Sequence, residues 1–380
     1  MVSTLELPNQ QRELPCHATG LLDLTAQGHG TLRVRADRVR PDDVQVPAAL
    51  IRRHGLRRGD LVEGVCDRSR VLSDVVRVDG HSPETLRGRP HFRDLTPVHP
   101  RCRLRLETPR CGPAARLVDL VSPIGKGQRG LVVAPPRAGK TVLLRQLAEA
   151  VAVNHPECRL MVVLVDERPE EVTDMRRSVR GEVLASTFDR PAREHIALAD
   201  LAIERAKRLV EQGQDVVVLL DSLTRLCRAH NNAAAAGGRT LSGGVDAAAP
   251  LGPKRLFGAA RLTEEGGSLT ILATALVETG SRADDYFFEE LKGTGNMELR
   301  LDRSLADRRV HPAVDIQASG TRREELLVPA AELRVMRRLR RTLLTRNDPR
   351  AALGTLLDRL RRTPDNAAFL RAVQLTVPDD

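Results

Sequence analysis

Aromatic residues are scarce in this 380-residue chain, which has no tryptophan, one tyrosine and six phenylalanines. None of these rings precedes Phe92. Proteins that bind single-stranded nucleic acid gain about 1–3 kcal/mol for each base that stacks on an aromatic side chain. The first quarter of the chain therefore lacks, histidine aside, the side chains that such stacking requires.

Lysine is also scarce, since only five of the 60 basic residues are lysines: Lys126, Lys140, Lys207, Lys254 and Lys292. A chain so biased towards arginine is expected to keep lysine mainly where a compact ammonium is needed. This draws attention to Lys126, Lys140 and Lys292. The formal net charge of +10 favours a polyanionic partner.

Long apolar runs are missing as well, and the six cysteines show no paired metal-binding spacing. The first eleven residues are polar and do not read as a signal peptide. We therefore expect a cytoplasmic protein with reduced, packed cysteines. A hydrophobic content of 41% is enough to fill two domains.

A strand, a tight loop and a helix start follow one another between Gly130 and Leu144. The apolar residues 131–133 predict a buried strand, prolines and Gly139 break it, and Thr141 opens a helix that extends to Asn154. Such a helix start binds polyphosphates through free backbone N–H groups. Lys140 supplies a charge for the β- and γ-phosphates, and Thr141 supplies a hydroxyl for Mg²⁺.

Strands and helices alternate from about Arg116 onwards, which predicts an α/β fold with a parallel sheet. The strand over 159–165 leads into Asp166, Glu167 and Arg168, and the strand over 215–220 ends at Asp221. Because the carboxyl ends of parallel strands face the ligand crevice, Glu167 is placed to polarise an attacking water. Asp221 is placed to hold the hydration shell of Mg²⁺.

The amino-terminal region shows short alternating runs at 20–24, 30–34, 60–65 and 75–78, typical of a small β-barrel. Barrels of this kind bind single-stranded nucleic acid, but a purely structural or adaptor barrel remains open for a chain without aromatics. We expect a polar tail over 1–13, the barrel over 14–80, a packed linker over 81–115, and a helical subdomain over 331–380.

Two segments without a periodic apolar face, 233–246 and 278–284, predict loops. The first contains Arg239 and the second contains Arg282, each among small residues. An isolated arginine of this kind suits contact with a phosphate backbone, although solvent loops with incidental charges have a similar pattern. Turn arginines such as Arg309 and Arg322 are candidates for fingers on a neighbouring subunit's γ-phosphate.

Seven segments together resemble the Rho family of transcription termination factors, hexameric RNA-dependent ATPases with a RecA-like motor. They are 120–130, 134–141, 165–173, 219–225, 243–246, 292–299 and 319–325. Matches of this length are more specific than a phosphate loop alone. They also account for Ala134, because the family is similar in lacking the first glycine of that loop.

The resemblance implies a RecA-like P-loop ATPase core over 116–330, preceded by an OB/cold-shock-like RNA-binding barrel. It implies ATP contacts at Gly125, Lys126, Gly127, Gln128, Arg129, Gly130, Arg137, Ala138, Gly139, Lys140, Thr141, Val142, Arg168 and His311. The catalytic set would be Glu167, Lys140 and Asp221, with Arg322, and Arg309 near it, acting on the next subunit. Thr141 and Asp221 would hold Mg²⁺.

The implied partners are single-stranded RNA, the RNA polymerase elongation complex and five further copies of the chain. RNA would contact the barrel at Gly28, His29, Gly30, Thr31, Leu32 and Arg33. In the central pore it would contact Arg239, Thr240, Leu241, Ser242, Gly243, Gly244, Val245, Asp246 and Arg282.

The barrel departs from the family where aromatic residues are usual. The segment Gly-His-Gly-Thr-Leu-Arg at 28–33 stands for Gly-Phe-Gly-Phe-Leu-Arg, Gln45 and Val71 fill other stacking positions, and His311 stands for the adenine-stacking phenylalanine. Weaker loading of pyrimidine-rich RNA is therefore expected. Two alternatives to an ordinary termination factor stay open: a specialised paralogue with altered loading, and a nucleotide-binding subunit without motor activity.

Overall fold

The computed structural model describes residues 16–25, 27–34, 42–109, 112–234, 240–241, 245–344 and 349–376. The chain divides into two compact units, and the boundary falls between Gly88 and Arg89. None of the described helices is long and apolar enough to cross a lipid bilayer.

The first unit is an antiparallel half-barrel consistent with an OB fold, with strands in the order β3-β2-β1-β4-β5. Its elements are β1 (Cys16–Leu24), β2 (Gly30–Arg33), β3 (Val44–Val46), α1 (Ala48–His54), β4 (Leu61–Cys66), β5 (Leu72–Val78) and α2 (Pro83–Leu86). Alternate residues of β4 are buried, as expected for a sheet with one covered face. A bridge between Gln45 and Val71 joins the two outer strands.

The core of this unit contains Leu22, Leu32 and Val62, which are fully buried. Leu86 of α2 packs against the same core. Residues 81–88 of the expected linker are therefore part of the barrel unit. Neither α1 nor β3 was predicted, because both are too short to show a clear period.

The second unit is built on a mixed, mostly parallel sheet in the order β11-β10-β12-β16-β9-β17-β18, with β15 and β6 added beside β16. The strands are β6 (Pro97–Val98), β7 (Arg103–Leu104), β8 (Ile124–Gly125), β9 (Arg129–Ala134), β10 (Arg159–Glu167), β11 (Glu182–Thr187), β12 (Asp215–Asp221), β13 (Thr240–Leu241), β14 (Val245–Asp246), β15 (Arg261–Thr263), β16 (Ser268–Leu276), β17 (Met297–Leu301) and β18 (Val314–Thr321). The predicted strands at the centre of this sheet are confirmed. Their apolar runs are buried on both faces, which is usual for parallel strands.

Helices cover the sheet and extend beyond it. They are α3 (Pro113–Val121), α4 (Lys140–Asn154), α5 (Pro169–Ser178), α6 (Ala192–Val210), α7 (Leu223–Ala233), α8 (Leu251–Phe257), α9 (Arg282–Lys292), α10 (Arg303–Asp307), α11 (Ala330–Leu344), α12 (Pro349–Arg361) and α13 (Asn366–Thr376). Short 3₁₀ turns lie at Phe92–Asp94 and Glu324–Leu326. The last three helices share one apolar core with α3 and α4, through residues such as Met336, Leu360 and Phe369.

The parallel strands define two edges of the sheet that position the candidate nucleotide site and the candidate finger arginines. The carboxyl edge is where β9, β10, β12 and β16 end, at Ala134, Glu167, Asp221 and Leu276. The amino edge is where the same strands begin. Strand β18 runs antiparallel to β17, so it starts near the carboxyl edge and ends near the amino edge.

Candidate nucleotide site and RNA-contacting segments

The phosphate loop lies at the carboxyl edge, between buried Ala134 at the end of β9 and Lys140 at the start of α4. Arg137 and Gly139 turn the chain with φ values of 66° and 93°. Glycine adopts the second of these without the penalty that a Cβ imposes. No side chain of the described residues caps α4, so the N–H groups of its first turn are available to an anion.

Two buried carboxylates from neighbouring strands lie beside this loop. Glu167 is 3% exposed and Asp221 is 1% exposed. Asp221 Oδ1 lies 2.5 Å from Lys140 Nζ and accepts a hydrogen bond of 2.7 Å from the hydroxyl of Thr274. Glu167 Oε2 lies 2.7 Å from Arg225 Nη1 and 3.9 Å from Lys140 Nζ. Each buried anion thus faces a cation, as burial of charge requires.

One carboxylate oxygen of this cluster can accept a further hydrogen bond. Glu167 Oε2 is buried, and it accepts no hydrogen bond of good geometry from the residues that the structure describes, although two cations lie near it. A buried carboxylate oxygen of this kind is a ready acceptor for a water molecule. The arrangement can hold a polyphosphate at the helix start and a water beside Glu167.

Three residues of the cluster were not predicted as site residues. Arg225 lies in the first turn of α7, shortly after Asp221 at the end of β12, and its closeness in sequence to that carboxylate was a usable signal. Thr274 lies within the apolar run of β16, where nothing in the sequence marks it. Glu171 follows on α5, where burial, reinforced by Glu167 and opposed by Lys140, raises the pKa of its carboxyl.

An apolar cavity of about 330 Å³ opens next to the phosphate loop. Ala138, Val142, Leu143, Leu301 and Pro312 line it, together with the ring of His311. Val142 keeps 51% of its surface exposed there. A flat, mostly apolar ring such as a purine suits these walls. The cavity thus brings His311 together with residues 138–142, as the resemblance implies, while Arg168 lies exposed at the start of α5.

The segment from Gly125 to Arg129 lies elsewhere, at the amino edge. Lys126 Nζ bridges Glu157 Oε1 at 2.9 Å and Asp215 Oδ2 at 2.7 Å, just before β10 and at the start of β12. A Cβ at Gly127 would lie 2.2 Å from the backbone nitrogen of Leu262.

The expectation that 125–130 wraps the nucleotide is therefore corrected for a single chain. Strand β9, six residues long, separates this segment from the phosphate loop by about 20 Å at about 3.3 Å per residue. Gln128 and Arg129 are instead hydrogen-bonded to Asn296. Gly130 is buried within β9, where a Cβ would lie 2.6 Å from Leu272 Cδ2. These residues stabilise the sheet.

The two candidate finger arginines lie at opposite ends of β18. Arg309 precedes His311 at the nucleotide cavity, and it adopts a φ of 61°. Arg322 follows the end of β18, where its backbone N–H donates to Asn296 at the amino edge. Both side chains are exposed. The expectation that Arg309 lies near Arg322 is thus wrong, and Arg322 lies at the edge opposite the phosphate loop of its own chain.

The two loops predicted to contact RNA are partly described. Strands β13 and β14 pair with Thr240 opposite Asp246 and Leu241 opposite Val245, whereas Arg239, Ser242, Gly243 and Gly244 lie outside the described residues. Arg282 is the exposed first residue of α9. Asp284, fully buried, pairs with Arg228 of α7 at 2.5 Å and accepts a hydrogen bond of 2.6 Å from Thr279. This pair ties the loop before α9 to the helix that precedes the other loop.

In the barrel, two of the predicted RNA contacts are core positions. Leu32 is fully buried, and a Cβ at Gly30 would lie 2.8 Å from Ile51 Cδ1, so both residues serve packing rather than RNA contact. Gly28 and His29 are exposed in the turn before β2. Thr31 is half-buried.

Three barrel positions at which the family resemblance leads us to expect aromatic residues lie close together. Thr31 pairs with Gln45 across the strands, and Gln45 bridges to Val71, so these three form one patch, here called the loading patch. The guanidinium of Arg33 is held by Asp23 at 2.8 Å and Asp43 at 3.5 Å. Because its guanidinium is already paired with two carboxylates, Arg33 is less available to bind a phosphate than the sequence motif suggests.

Comparison with known families matches this two-part architecture. Residues 114–321 match the ATP synthase alpha/beta family, nucleotide-binding domain, and residues 18–84 match the Rho termination factor, RNA-binding domain. Among solved structures, an ATPase from the type III secretion system of pathogenic bacteria aligns with a TM-score of 0.63 at 21% identity, over 77% of this chain and 89% of that one. The ATP synthase subunit NeqB of Nanoarcheaum equitans aligns with a TM-score of 0.57 at 17% identity, over 65% and 62%. These likenesses establish the fold.

Sequence relatives are closer. Transcription termination factor Rho of Streptomyces coelicolor is 70% identical over 378 residues, which span the whole of this chain and 91% of that protein. The Rho protein of Streptosporangium roseum is 61% identical over 94% of this chain and 92% of its own length. That of Mycobacterium tuberculosis is 56% identical, with 89% of this chain matched to 58% of the longer relative. The chain belongs to the transcription termination factor Rho family, with an ATPase nucleotide-binding domain and an RNA-binding domain.

Proposed function

We propose that this termination factor is an ATP-driven RNA translocase that works as a ring of six and releases transcripts from RNA polymerase in the cytoplasm. The observation that carries the proposal is the cluster of Lys140, Asp221, Glu167 and Arg225 beside an uncapped helix start. Such a cluster suits hydrolysis of a bound nucleoside triphosphate rather than binding alone, because Glu167 Oε2, although it lies near two cations, accepts no hydrogen bond from the described residues and can accept one from a water.

Each residue has a distinct role in the proposed reaction. The apolar cavity takes the adenine ring, and the first turn of α4 takes the phosphates. Lys140 leaves Asp221 for the β- and γ-phosphates when ATP enters. Thr141 and the freed carboxylate of Asp221 then fit Mg²⁺, which would neutralise charge on the phosphates.

Glu167 orients the water that attacks the γ-phosphate, and Arg225 keeps its carboxylate in place. Arg137 and Arg168 are exposed close to the loop and add contacts to the phosphates. Arg309 is assigned to the nucleotide of its own chain, because it lies beside the cavity that contains His311.

Arg322 acts on the neighbouring subunit in this proposal. It lies about the length of β18, roughly 27 Å at about 3.4 Å per residue, from the cavity side of its own sheet. An exposed arginine at the edge opposite the phosphate loop can reach a nucleotide only if another copy docks head to tail, as in a ring. Hydrolysis would then depend on assembly.

RNA is proposed to pass the loops that contain β13, β14 and Arg282. The pair of Arg228 and Asp284 links these loops to α7, whose first turn contains Arg225 of the hydrolytic cluster. A structural change around the bound nucleotide can therefore be transmitted through α7 to the loops proposed to contact RNA. Exposed arginine at a helix start is suited to phosphate rather than base contacts.

A second candidate is a specialised paralogue whose primary RNA site has changed. The observation that favours it is the loading patch, where Thr31, Gln45 and Val71 lie together without an aromatic ring. Arg33 beside it is already paired with two carboxylates. Weak loading of pyrimidine-rich RNA with an intact motor would result.

Steady-state ATPase activity without RNA, with poly(C) and with mixed-sequence RNA, at two salt concentrations, separates these functions. Strong stimulation by poly(C) means ordinary loading. Stimulation by mixed-sequence RNA alone means altered loading with a working motor. No stimulation by either, with ATP still bound, would contradict the translocase and indicate a non-motor subunit. Release of labelled transcripts from stalled polymerase complexes tests the termination step itself.

A further inference from the structure

The backbone is irregular at the point where β10 delivers Glu167. Asp166 has a φ of 57°, in the left-handed region, and the register with β11 shifts between Val165 and Glu167. This is a β-bulge of one residue, a device that re-aims a side chain near functional sites. As a result both Val165 and Glu167 are buried, while the carboxyl group of Asp166 between them remains about one-third exposed.

A left-handed aspartate is strained, so neighbouring groups must hold it. On one side, Arg225 Nη1 donates to the carbonyl oxygen of Asp166 at 2.5 Å and pairs with Glu167 Oε2. On the other side, His195 Nε2 of α6 lies 3.9 Å from Asp166 Oδ1. Asp166 is therefore hydrogen-bonded to the arginine of α7, and its carboxylate lies beside the histidine of α6 at a distance longer than a hydrogen bond.

A hydrogen bond with Ser186 orients the ring of His195. Its Nδ1 lies 2.7 Å from the hydroxyl of Ser186, the β11 residue that pairs with Val165 just before the bulge. His195 is 5% exposed and Ser186 is 1% exposed. When the serine hydroxyl donates to Nδ1, the ring proton is on Nε2 and points to Asp166. Ser186 is too deeply buried to meet a substrate, so the serine, histidine and aspartate do not form a nucleophilic triad.

The electrostatic surroundings keep this histidine mostly neutral. Asp166, Glu194 and Asp189 favour the charged ring and Arg225 opposes it, but burial is the largest effect and lowers the pKa of His195 below its ordinary value of 6.5. At neutral pH the ring can therefore accept a hydrogen bond from Ser186 while its Nε2–H dipole is attracted to the Asp166 carboxylate across 3.9 Å.

We propose that His195 is a positioning residue for ATP hydrolysis, which holds the Asp166 bulge and thereby fixes Glu167 and Arg225 in the geometry that hydrolysis needs. The inference rests on the proposed role of Glu167. It adds a residue of α6 that touches neither nucleotide nor metal, about a strand's width behind the cluster. A small displacement of a catalytic group is enough to slow a reaction by about a hundredfold.

The test compares kcat and KM for ATP, at saturating RNA, in His195→Leu, His195→Gln and the parent protein. His195→Leu is expected to lower kcat about tenfold or more while KM changes less than about threefold, because the phosphate loop is untouched. The amide nitrogen of His195→Gln can replace Nε2–H and is expected to restore much of the lost kcat. A purely structural histidine would not show this rescue.

Two further variants provide a second test of the proposal and a control. Asp166→Asn keeps the volume and tolerates a positive φ, but removes the carboxylate that His195 faces, and it is expected to match His195→Leu in kcat. His155→Gln, at the far end of α4, is the control and keeps parental kcat. Thermal unfolding and binding of a fluorescent ATP analogue show that each variant is folded and binds nucleotide.

Glu167→Gln in the same assay distinguishes a failure of the positioning role of His195 from a failure of the proposed hydrolytic role of Glu167. If Glu167→Gln abolishes turnover while both His195→Leu and Asp166→Asn keep kcat within about twofold of the parent, the positioning role is overturned and the proposed hydrolytic site stands. If Glu167→Gln is active, the hydrolytic assignment itself fails. Parallel loss in His195→Leu and Asp166→Asn, with rescue in His195→Gln, supports the inference.

Discussion

Glu167 and Asp221 differ in their freedom to take part in chemistry, although both are nearly fully buried. Asp221 is occupied by Lys140 and Thr274, whereas Oε2 of Glu167 is an acceptor without a hydrogen bond from the described residues. In the proposed reaction, this difference favours Asp221 for the metal and Glu167 for the water. The assignment predicts that a change at Glu167 lowers turnover and leaves ATP binding nearly unchanged.

Glu167→Gln is expected to lower kcat by about a hundredfold or more, because the amide cannot polarise a water as a carboxylate does. ATP binding should stay within about threefold of the parent, since Lys140 and the start of α4 are unchanged. Single-turnover hydrolysis and nucleotide binding measure the two effects. Glu149→Gln, an exposed position on α4, is the matched control. A Glu167→Gln enzyme with near-parental kcat would remove Glu167 from the chemistry.

Asp119 of α3 makes stability depend on pH in an unusual direction. It is 2% exposed, and burial raises the pKa of its carboxyl to about 6, although Arg103 and the N–H groups of Leu106 and Glu107 oppose the shift. A carboxyl with a raised pKa binds more protons in the folded chain than in the unfolded one. Its contribution to stability is therefore complete below the ordinary value of 3.8 and is lost as pH rises through about 6.

The free energy of unfolding should accordingly fall by about 1 kcal/mol between pH 5 and pH 7 through this one group. Urea unfolding at several pH values measures the slope in the parent protein and in Asp119→Asn. The variant, which cannot titrate at this position, is expected to show a shallower fall. Equal slopes in the two proteins would mean that Asp119 is already ionised at pH 5.

At the scale of single elements, β2 combines packing and surface roles in alternate residues. Gly30 and Leu32 face the core, while Thr31 belongs to the loading patch with Gln45. The sequence pattern had grouped all of them as RNA contacts because the family motif is contiguous. Consecutive residues of a motif point to opposite faces of a strand, so they can have different roles.

Thr31→Phe is expected to raise affinity for poly(C) by about fivefold or more, since one stacked base is worth about 1–3 kcal/mol. Filter binding at fixed salt measures the affinity. Val76→Phe, which adds a ring at another exposed strand position of the same unit, is the control and should bind as the parent does. A folded Thr31→Phe protein without tighter binding would mean that RNA does not cross the loading patch.

The elements of the second unit were largely predictable, and the exceptions have physical causes. Parallel strands buried on both faces leave apolar runs that are easy to recognise, and the carboxylates at their ends followed from the topology. The bulge at Asp166 and the placement of Thr274 leave no trace in a hydrophobic pattern, because they depend on strand register. The segment 125–130 was assigned to ATP by the resemblance, which carries no information on the length of β9 that separates it from the phosphate loop of the same chain.

At the scale of the whole second unit, the two edges of one sheet have different tasks. The phosphate loop, Glu167 and Asp221 lie at the carboxyl edge, and Arg322 follows β18 at the amino edge. Sequence reasoning placed the two carboxylates at strand ends, but it did not place Arg322 at the opposite edge, and it wrongly grouped Arg309 with Arg322. A ring in which one subunit's amino edge meets the next subunit's carboxyl edge would complete every site.

The most direct test of this account is the ATPase activity of rings that contain both Lys140→Ala and Arg322→Ala subunits, co-produced with two different tags and purified through both. Each variant alone is expected to be inactive. If Arg322 acts on the neighbour, about a quarter of the interfaces in an equal mixture join an intact Lys140 to an intact Arg322, and RNA-stimulated hydrolysis returns in part. Mixed rings that stay as inactive as the single variants would contradict the account, because they would place both residues in the same subunit's site.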